Sequence, residues 1–184
     1  MTRILTTFAA LLLALPLWAS VPLGDDGLHK PAFLRDTFKD LREDLEEAQG
    51  EGRTLMVILE QRGCIYCKRM HEEVFVDPEI EALIEEKYFV VQMDLRGGVE
   101  VTDFDGTTLP ESEMADFWGL RFTPTMMLFP DPVEDGTEAP KAAAILIPGA
   151  LDVPRTLSLL LWGSDAQARE MSLEEFHAAR LAGE

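Results

Sequence analysis

The pattern of hydrophobic and polar positions predicts helices that alternate with short apolar strands along most of the chain. Nearly uninterrupted apolar runs predict buried strands at residues 54–59, 89–95, 125–129 and 142–147. Apolar residues that recur every three or four positions predict helices. These helices span residues 30–48, 64–75, 78–88, 112–118, 152–162 and 172–181. This order indicates an α/β fold with a central mixed sheet covered by helices on both faces, in which the first two strands are parallel.

Residues 96–111 interrupt this order with a stretch that is rich in Gly, Asp and Thr. We expect a small hairpin that turns at Asp105-Gly106. Side chains with oxygen ligands stand at alternate positions around this turn and resemble the start of a calcium loop. Position 114, where such a loop needs Glu, is Met. The stretch is therefore interpreted as a turn. Short polar residues predict N-caps for three of the later helices, namely Ser112, Asp152 and Ser172.

The first twenty residues have the pattern of a secretory signal peptide. Arg3 precedes an apolar run from Ile4 to Trp18, and the small residues Ala19 and Ser20 follow. The run is shorter than the ~20 apolar residues that span a bilayer, which makes an uncleaved membrane anchor the less favoured alternative. We expect export to the periplasm. Residues 21–184 are then long enough for one domain with its own core.

The charge of the chain is strongly acidic, with 16 Lys and Arg residues against 34 Asp and Glu residues and a formal net charge of −18. Such a surface repels a phosphate backbone, so nucleic-acid binding is not expected. Acidity by itself identifies no partner.

The two cysteines, Cys64 and Cys67, are the only ones in the chain. A structural disulfide stabilises most when it closes a long loop, and a four-residue ring provides little of that effect. The pair is therefore expected to open and close as part of a reaction.

A Cys-x-x-Cys that follows a buried strand and begins a helix is suited to thiol chemistry. Helix N–H groups and the positive end of the helix dipole favour a thiolate at Cys64. Cys64 would attack a partner disulfide, and Cys67 would resolve the mixed disulfide. Arg62, Lys68 and Arg69 add positive charge nearby. Each of these three is also consistent with an ordinary solvated position.

Other uses of the cysteine pair are less well supported. Haem attachment needs His directly after the second cysteine, where the chain has Lys68, and a zinc site needs two further ligands. A Cu(I) site built from the two cysteines, Met70 and His71 is an alternative, because thiolate and thioether sulfur suit that ion. In the simpler interpretation, His71 is a surface residue and Met70 belongs to the core.

A second motif lies directly before the third strand, at Arg121-Phe122-Thr123-Pro124-Thr125. Proline cannot donate to a strand ladder, so Pro124 at the start of a strand indicates a special turn. A cis bond there would leave the Thr123 backbone free to pair with an extended substrate.

The two motifs in this order resemble the thioredoxin superfamily over about residues 54–162. The resemblance implies a thioredoxin-like fold, no organic cofactor, and a proline loop that packs over the disulfide. Thr123 and Pro124 are then substrate-binding residues, together with Ile65 and Tyr66 between the cysteines. The motifs, with the stretch 101–106, are more narrowly similar to the periplasmic SoxW and SoxS type thioredoxins of sulfur-oxidation gene clusters.

That resemblance implies a reductant of protein disulfides. Because the periplasm is oxidising, such a reductant would need electrons from a membrane thiol transporter. The client would be a cysteine of the sulfur-carrier machinery. A disulfide oxidase or isomerase is the alternative, because the fold does not fix the direction of electron flow.

The chain departs from the family pattern at two places. Typical thioredoxins have Trp-Cys-Gly-Pro-Cys, whereas here Gly63 precedes the first cysteine and Ile65-Tyr66 separate the pair. They also hold a buried acid six residues before the first cysteine, where this chain has Ile58. Glu60 and Glu72 are candidates for that role, although each is expected at the surface.

Overall fold

The computed structural model describes residues 21–183. The predicted signal peptide, residues 1–20, lies outside the described residues. The strands are β1 (Thr54–Glu60), β2 (Tyr88–Asp94), β3 (Glu100–Thr102), β4 (Thr108–Pro110), β5 (Thr125–Phe129) and β6 (Ile145–Pro148). The helices are α1 (Leu41–Gly50), α2 (Ile65–Arg69), α3 (Pro78–Lys87), α4 (Glu111–Phe117), α5 (Ala139–Ala142), α6 (Val153–Ser164) and α7 (Leu173–Ala182). A π-helical turn (Met70–Val74) continues α2, and a short 3₁₀ turn (Ala168–Glu170) precedes α7.

Four strands form the central sheet in the order β2-β1-β5-β6. β1 and β2 are parallel, with Thr54 beside Tyr88 at one end and Glu60 beside Asp94 at the other. β5 and β6 are each antiparallel to the strand before them in this order. The predicted mixed sheet, with its first two strands parallel, is confirmed.

The side chains of β1 alternate between two apolar cores, one on each face of the sheet. Leu55, Val57 and Leu59 pack against α1, α4 and the β3–β4 hairpin. Met56 and Ile58 pack against the π turn, α3 and α6. Because side chains two apart along a strand share a face, Glu60 at the end of β1 lies on the same face as Ile58.

The hairpin expected within residues 96–111 is present as β3 and β4. It is fastened to the rest of the fold by Asp103, which is almost fully buried. The Asp103 carboxylate accepts hydrogen bonds from the Trp118 indole N–H at 2.7 Å, the Ala139 N–H at 2.9 Å and the Phe104 N–H at 2.7 Å. One carboxylate therefore joins the hairpin, the segment after α4, and α5.

The predicted helix over residues 30–48 is wrong in its first half. α1 begins at Leu41 and is capped by Asp40, whose side chain accepts from two N–H groups of the first turn. The residues before α1 do not form a helix. Leu34 instead pairs with Val90 at the outer edge of β2. Phe38, one of the recurring apolar residues that predicted this helix, is 94% exposed. Pairing of this segment with the open edge of β2 is a tertiary contact, and it outweighs the local helical pattern.

Two further expectations differ in detail. α4 begins at Glu111 after Pro110, so Ser112 is inside the helix and does not cap it. Glu111 is buried, pairs with Lys39 and accepts the Asp94 N–H at 3.1 Å.

The last strand begins at residue 145, because Ala139–Ala142 form a short helix with Pro140 in its first turn, a position that suits proline. The caps predicted at Asp152 and Ser172 are confirmed.

Candidate active site

Cys64 and Cys67 form a disulfide at the start of α2, directly beyond the end of β1. Gly63 makes the turn between β1 and α2 with φ +73°, a left-handed conformation that favours glycine. Cys64 is the N-cap of α2, and the Cys67 N–H is 3.0 Å from the Cys64 sulfur. A thiolate at Cys64 would accept this hydrogen bond, which favours ionisation of that sulfur.

The loop before β5 lies against the same sulfur. The Thr123 carbonyl oxygen is 3.5 Å from Cys64 Sγ, and the Thr123–Pro124 peptide bond is cis. The loop is held from both sides: the Thr125 hydroxyl donates to the Phe122 carbonyl, and the Gly149 N–H donates to the Pro124 carbonyl. The structure thus brings together the two sequence motifs that predicted the site.

Exposed apolar side chains border the disulfide. Ile65 is 72% exposed, and Tyr66 is 56% exposed. Phe122, next to the proline loop, is 70% exposed. We call Ile65, Tyr66 and Phe122 the apolar rim. Exposed apolar groups beside a reactive pair suit contact with another polypeptide, and their binding role stays a prediction.

The positive residues near the cysteines are partly matched by acids. Lys68 lies 3.7 Å from Glu72, and Arg69 lies 3.3 Å from Glu73, both one helical turn apart. Exposed pairs of this kind contribute little to stability. They also reduce the net positive charge that these residues bring to the cysteines.

A buried carboxylate and imidazole lie behind the disulfide. Glu60 is 1% exposed and His71 is fully buried, so the expectation that both are surface residues is wrong. His71 Nε2 is 2.9 and 3.0 Å from the two Glu60 carboxylate oxygens. The Gln92 amide on β2 donates to Glu60 at 2.6 Å. Glu72, the other candidate acid, is exposed as predicted.

The segment before Pro31 covers this pair. The His29 ring stacks on the His71 ring with centroids 4.8 Å apart. The His29 carbonyl accepts from the Gln92 amide at 2.9 Å, and the Lys30 ammonium donates to the Gln92 amide oxygen at 2.6 Å. Residues 21–30, which carried no functional prediction, therefore form one wall of the site.

A cavity of about 480 Å³ joins these parts. Its walls include both cysteines, Ile65, Glu60 and Lys68, together with residues of the segment 21–29. The cavity is large enough to admit water, and Glu60 gives it a polar wall.

Two ligands of the copper alternative have other contacts in this arrangement. Met70 is fully buried in the apolar core, and the Nε2 atom of His71 is against Glu60. Across residues 21–183, no group of three or more His, Cys, Asp and Glu side chains is placed to hold a metal ion. Within the same range, no helix has the length and apolar character needed to cross a membrane.

Sequence reasoning placed the cysteines and the proline loop but missed the pairing of Glu60 with His71. One signal was available: Glu60 ends a strand whose other positions are nearly all apolar, and its strand partner on β2 is within a similar run. The stacking of His29 on His71 had no local signal in the sequence, since it depends on where residues 21–30 pack in the folded chain.

The fold and site define an α/β protein that carries a two-cysteine disulfide at a helix start beneath a proline loop. The family model for the thioredoxin-like domain matches residues 41–157, which is more than half of the chain. The chain therefore belongs to the thioredoxin-like domain family, as the resemblance implied. No curated protein matches it.

Several solved structures are similar to this chain. A thioredoxin-fold protein from Helicobacter pylori has a TM-score of 0.54 at 17% identity, over 72% of this chain and 81% of that one. The reduced C-terminal domain of Neisseria meningitidis DsbD gives 0.44 at 14% identity, over 67% and 93%. A Thermus thermophilus thioredoxin gives 0.41 at 23% identity, over 78% and 86%. The first of these supports a thioredoxin-like fold.

Proposed function

We propose that the chain is an exported thiol-disulfide oxidoreductase that reduces disulfide bonds in other proteins. The observation that carries the proposal is the disulfide of Cys64 and Cys67 at the start of α2, with the Thr123 carbonyl 3.5 Å from the Cys64 sulfur. Membership of the thioredoxin-like domain family supports the same reaction class. The cysteine pair closes too small a ring for a mainly structural role.

The two cysteines have different parts in the proposed reaction. Cys64 contacts the proline loop and is bordered by Ile65, whereas Cys67 is only 3% exposed. The accessible sulfur attacks a client disulfide as a thiolate, which releases one client thiol and leaves a mixed disulfide. Cys67 then attacks the Cys64 sulfur, which releases the second client thiol and re-forms the disulfide.

The apolar rim and the proline loop are the proposed client-binding surface. Ile65, Tyr66 and Phe122 are exposed around the sulfur that attacks. The Thr123 backbone and Pro124 lie beside that sulfur, in position to contact the chain that flanks a client cysteine.

The proposal includes the periplasm as the place of action, on the basis of the signal-peptide pattern in residues 1–20. An oxidising compartment does not keep a reductant reduced, so the proposal also includes a membrane thiol transporter as electron donor. The resemblance to sulfur-oxidation thioredoxins adds a proposed client, a cysteine of the sulfur-carrier machinery.

Trapping of clients tests this function. A Cys67→Ala chain, exported with its own residues 1–20, is expected to accumulate mixed disulfides through Cys64, because the resolving thiol is gone. The adducts should appear on non-reducing gels, disappear with dithiothreitol, and include the sulfur-carrier client. The matched control is the Cys64→Ala, Cys67→Ala double variant.

Absence of adducts above the level of the double variant would count against the proposed reaction. Adducts only with proteins that carry newly exported, reduced cysteines would point to the disulfide oxidase alternative.

A further inference from the structure

Residues 21–30 fold into a small hairpin that lies outside the matched family domain. Leu23 forms an antiparallel bridge with His29, and backbone hydrogen bonds of 2.8 Å close the ladder on both sides of this bridge. The family model matches residues 41–157, so the hairpin is an addition to that domain. We call residues 21–30 the added hairpin. Any role that it has is a property of this chain.

The added hairpin is fastened firmly to the rest of the protein. The Lys30 ammonium donates to the Asp26 carboxylate and to the Gln92 amide oxygen, both at 2.6 Å. The Arg62 side chain lies directly over Gly27, where a Cβ atom would come within 2.6 Å of the Arg62 Nε atom. A surface that is already ordered loses less conformational entropy when a partner binds. The hairpin is therefore a fixed wall of the site.

This wall is mostly apolar and faces the cavity beside the disulfide. The hairpin residues that line the cavity are Val21, Pro22, Leu23, Gly27, Leu28 and His29. Leu23 is 62% exposed, as a residue that waits for a partner would be. Ile65 lines the same cavity and also belongs to the apolar rim, so the rim and the cavity meet at this side chain.

The charged groups that line the cavity already have partners. Glu60 accepts hydrogen bonds from two buried neighbours, and Lys68 pairs with Glu72 at 3.7 Å. Burial lowers the pKa of His29, so its ring is neutral at pH 7. A charged ligand would compete with these contacts, whereas an apolar ligand would leave them in place. The cavity therefore favours an apolar occupant.

The reacting sulfurs decide which molecule brings this occupant. Both cysteines line the cavity, so whatever fills it lies next to the disulfide. Its volume of about 480 Å³ is within the range of pockets that enclose a small ligand, and it accommodates a bulky side chain with the backbone that carries it. A client that reacts with Cys64 brings the residues beside its own cysteine to this place.

We propose that the added hairpin selects clients by the residue next to their cysteine, and that the cavity takes a bulky apolar side chain, such as leucine or phenylalanine, at that position. The inference rests on the proposed function, because it concerns the client of Cys64. During attack by Cys64, the apolar side chain of the client lies between Leu23 and Ile65. Its burial stabilises the transition state, so clients that carry it react faster.

Short peptides that carry one cysteine as a mixed disulfide with thionitrobenzoate test the proposal on the reduced protein. The Cys64 thiolate bonds to the peptide sulfur, and thionitrobenzoate leaves with the electron pair of the broken S–S bond, because it is the better leaving group. Its release is followed at one wavelength in a stopped-flow instrument and gives a second-order rate constant. The residue before or after the cysteine is glycine, leucine, phenylalanine, lysine or glutamate.

At one of these two positions, leucine or phenylalanine should raise the rate constant by about tenfold or more over glycine, the scale on which apolar pockets discriminate. Lysine and glutamate should give no such gain. Leu23→Ser should reduce the gain to within about threefold and leave the glycine peptide within about twofold of its wild-type rate. Leu23→Met keeps an apolar side chain and should keep most of the gain.

The matched control is Phe38→Ser, which removes an exposed apolar side chain that does not line the cavity. It should leave every rate constant within about twofold. Leu23 and Phe38 are both exposed, so circular dichroism of the two serine variants should match that of the wild-type protein.

Equal rate constants for the glycine, leucine and phenylalanine peptides at both positions would overturn the proposal. A gain that survives in Leu23→Ser would also overturn it, because the preference would then not depend on the hairpin. A larger gain with lysine or glutamate would overturn it as well, since it describes a charged pocket. Failure of the proposed function is seen separately, as wild-type protein that does not reduce the disulfides of insulin whatever the peptides do.

Discussion

Replacement of Cys64 with serine is expected to abolish the reduction of insulin disulfides by the full chain. Thiolate is the attacking species, and a serine hydroxyl in the same place is not ionised at neutral pH. The loss should be at least about a thousandfold in rate. The measurement is the rate of insulin precipitation with dithiothreitol as electron source, compared with dithiothreitol alone.

Cys67→Ser is the matched control for this variant. It keeps the accessible sulfur, so it should form one mixed disulfide per chain but not turn over, because the resolving thiol is absent. A Cys64→Ser chain that keeps more than about a tenth of the wild-type rate would contradict the assignment of Cys64 as the nucleophile.

Asp103→Ala is expected to lower the free energy of unfolding by about 3–5 kcal/mol, the largest stability effect we predict for a single polar side chain. The variant leaves three buried donors without their acceptor: the Trp118 indole N–H and the backbone N–H groups of Phe104 and Ala139. Urea unfolding monitored by circular dichroism measures the change. A loss below about 1 kcal/mol would show that the hairpin and α5 do not depend on this carboxylate.

Asp103→Asn separates hydrogen bonding from charge. The amide oxygen can still accept the two backbone N–H groups, but the amide nitrogen faces the Trp118 indole N–H, so we expect a loss of about 1–2 kcal/mol.

Burial raises the pKa of Asp103. Between the unfolded and the folded pKa, the folded state therefore holds a proton that the unfolded state has released. The contribution of Asp103 to wild-type stability should therefore fall as the pH rises from the unfolded pKa of 3.8 through the raised folded value. The Asn variant should lack this contribution.

The strands and the cysteine site could be predicted because their signals are local. The apolar run that forms β1 is followed by Gly63 and the cysteines within a few residues, and this order determines where a strand ends and a helix begins. Pro124 at the start of β5 is equally local. The structure places these two motifs in contact, with the Thr123 carbonyl beside Cys64.

The failures share one physical cause, which is that distant contacts decided the local structure. The stripe that includes Phe38 predicted a helix, but this segment pairs with the open edge of β2 instead. Glu60 was expected at the surface because it is charged. It is instead buried, in contact with His71 eleven positions along the chain. A sequence pattern shows that a charge lies near a strand end, but not that an imidazole and an amide will meet it there.

The reduction potential of the Cys64–Cys67 couple tests the central claim most directly. Full-length reduced and oxidised protein would be equilibrated in dithiothreitol or glutathione buffers, and the thiol content measured by alkylation. As a reductant, the chain should have a potential near or below that of thioredoxin, about −270 mV. A value of about −120 to −180 mV would contradict the account, because it belongs to proteins that donate or rearrange disulfides.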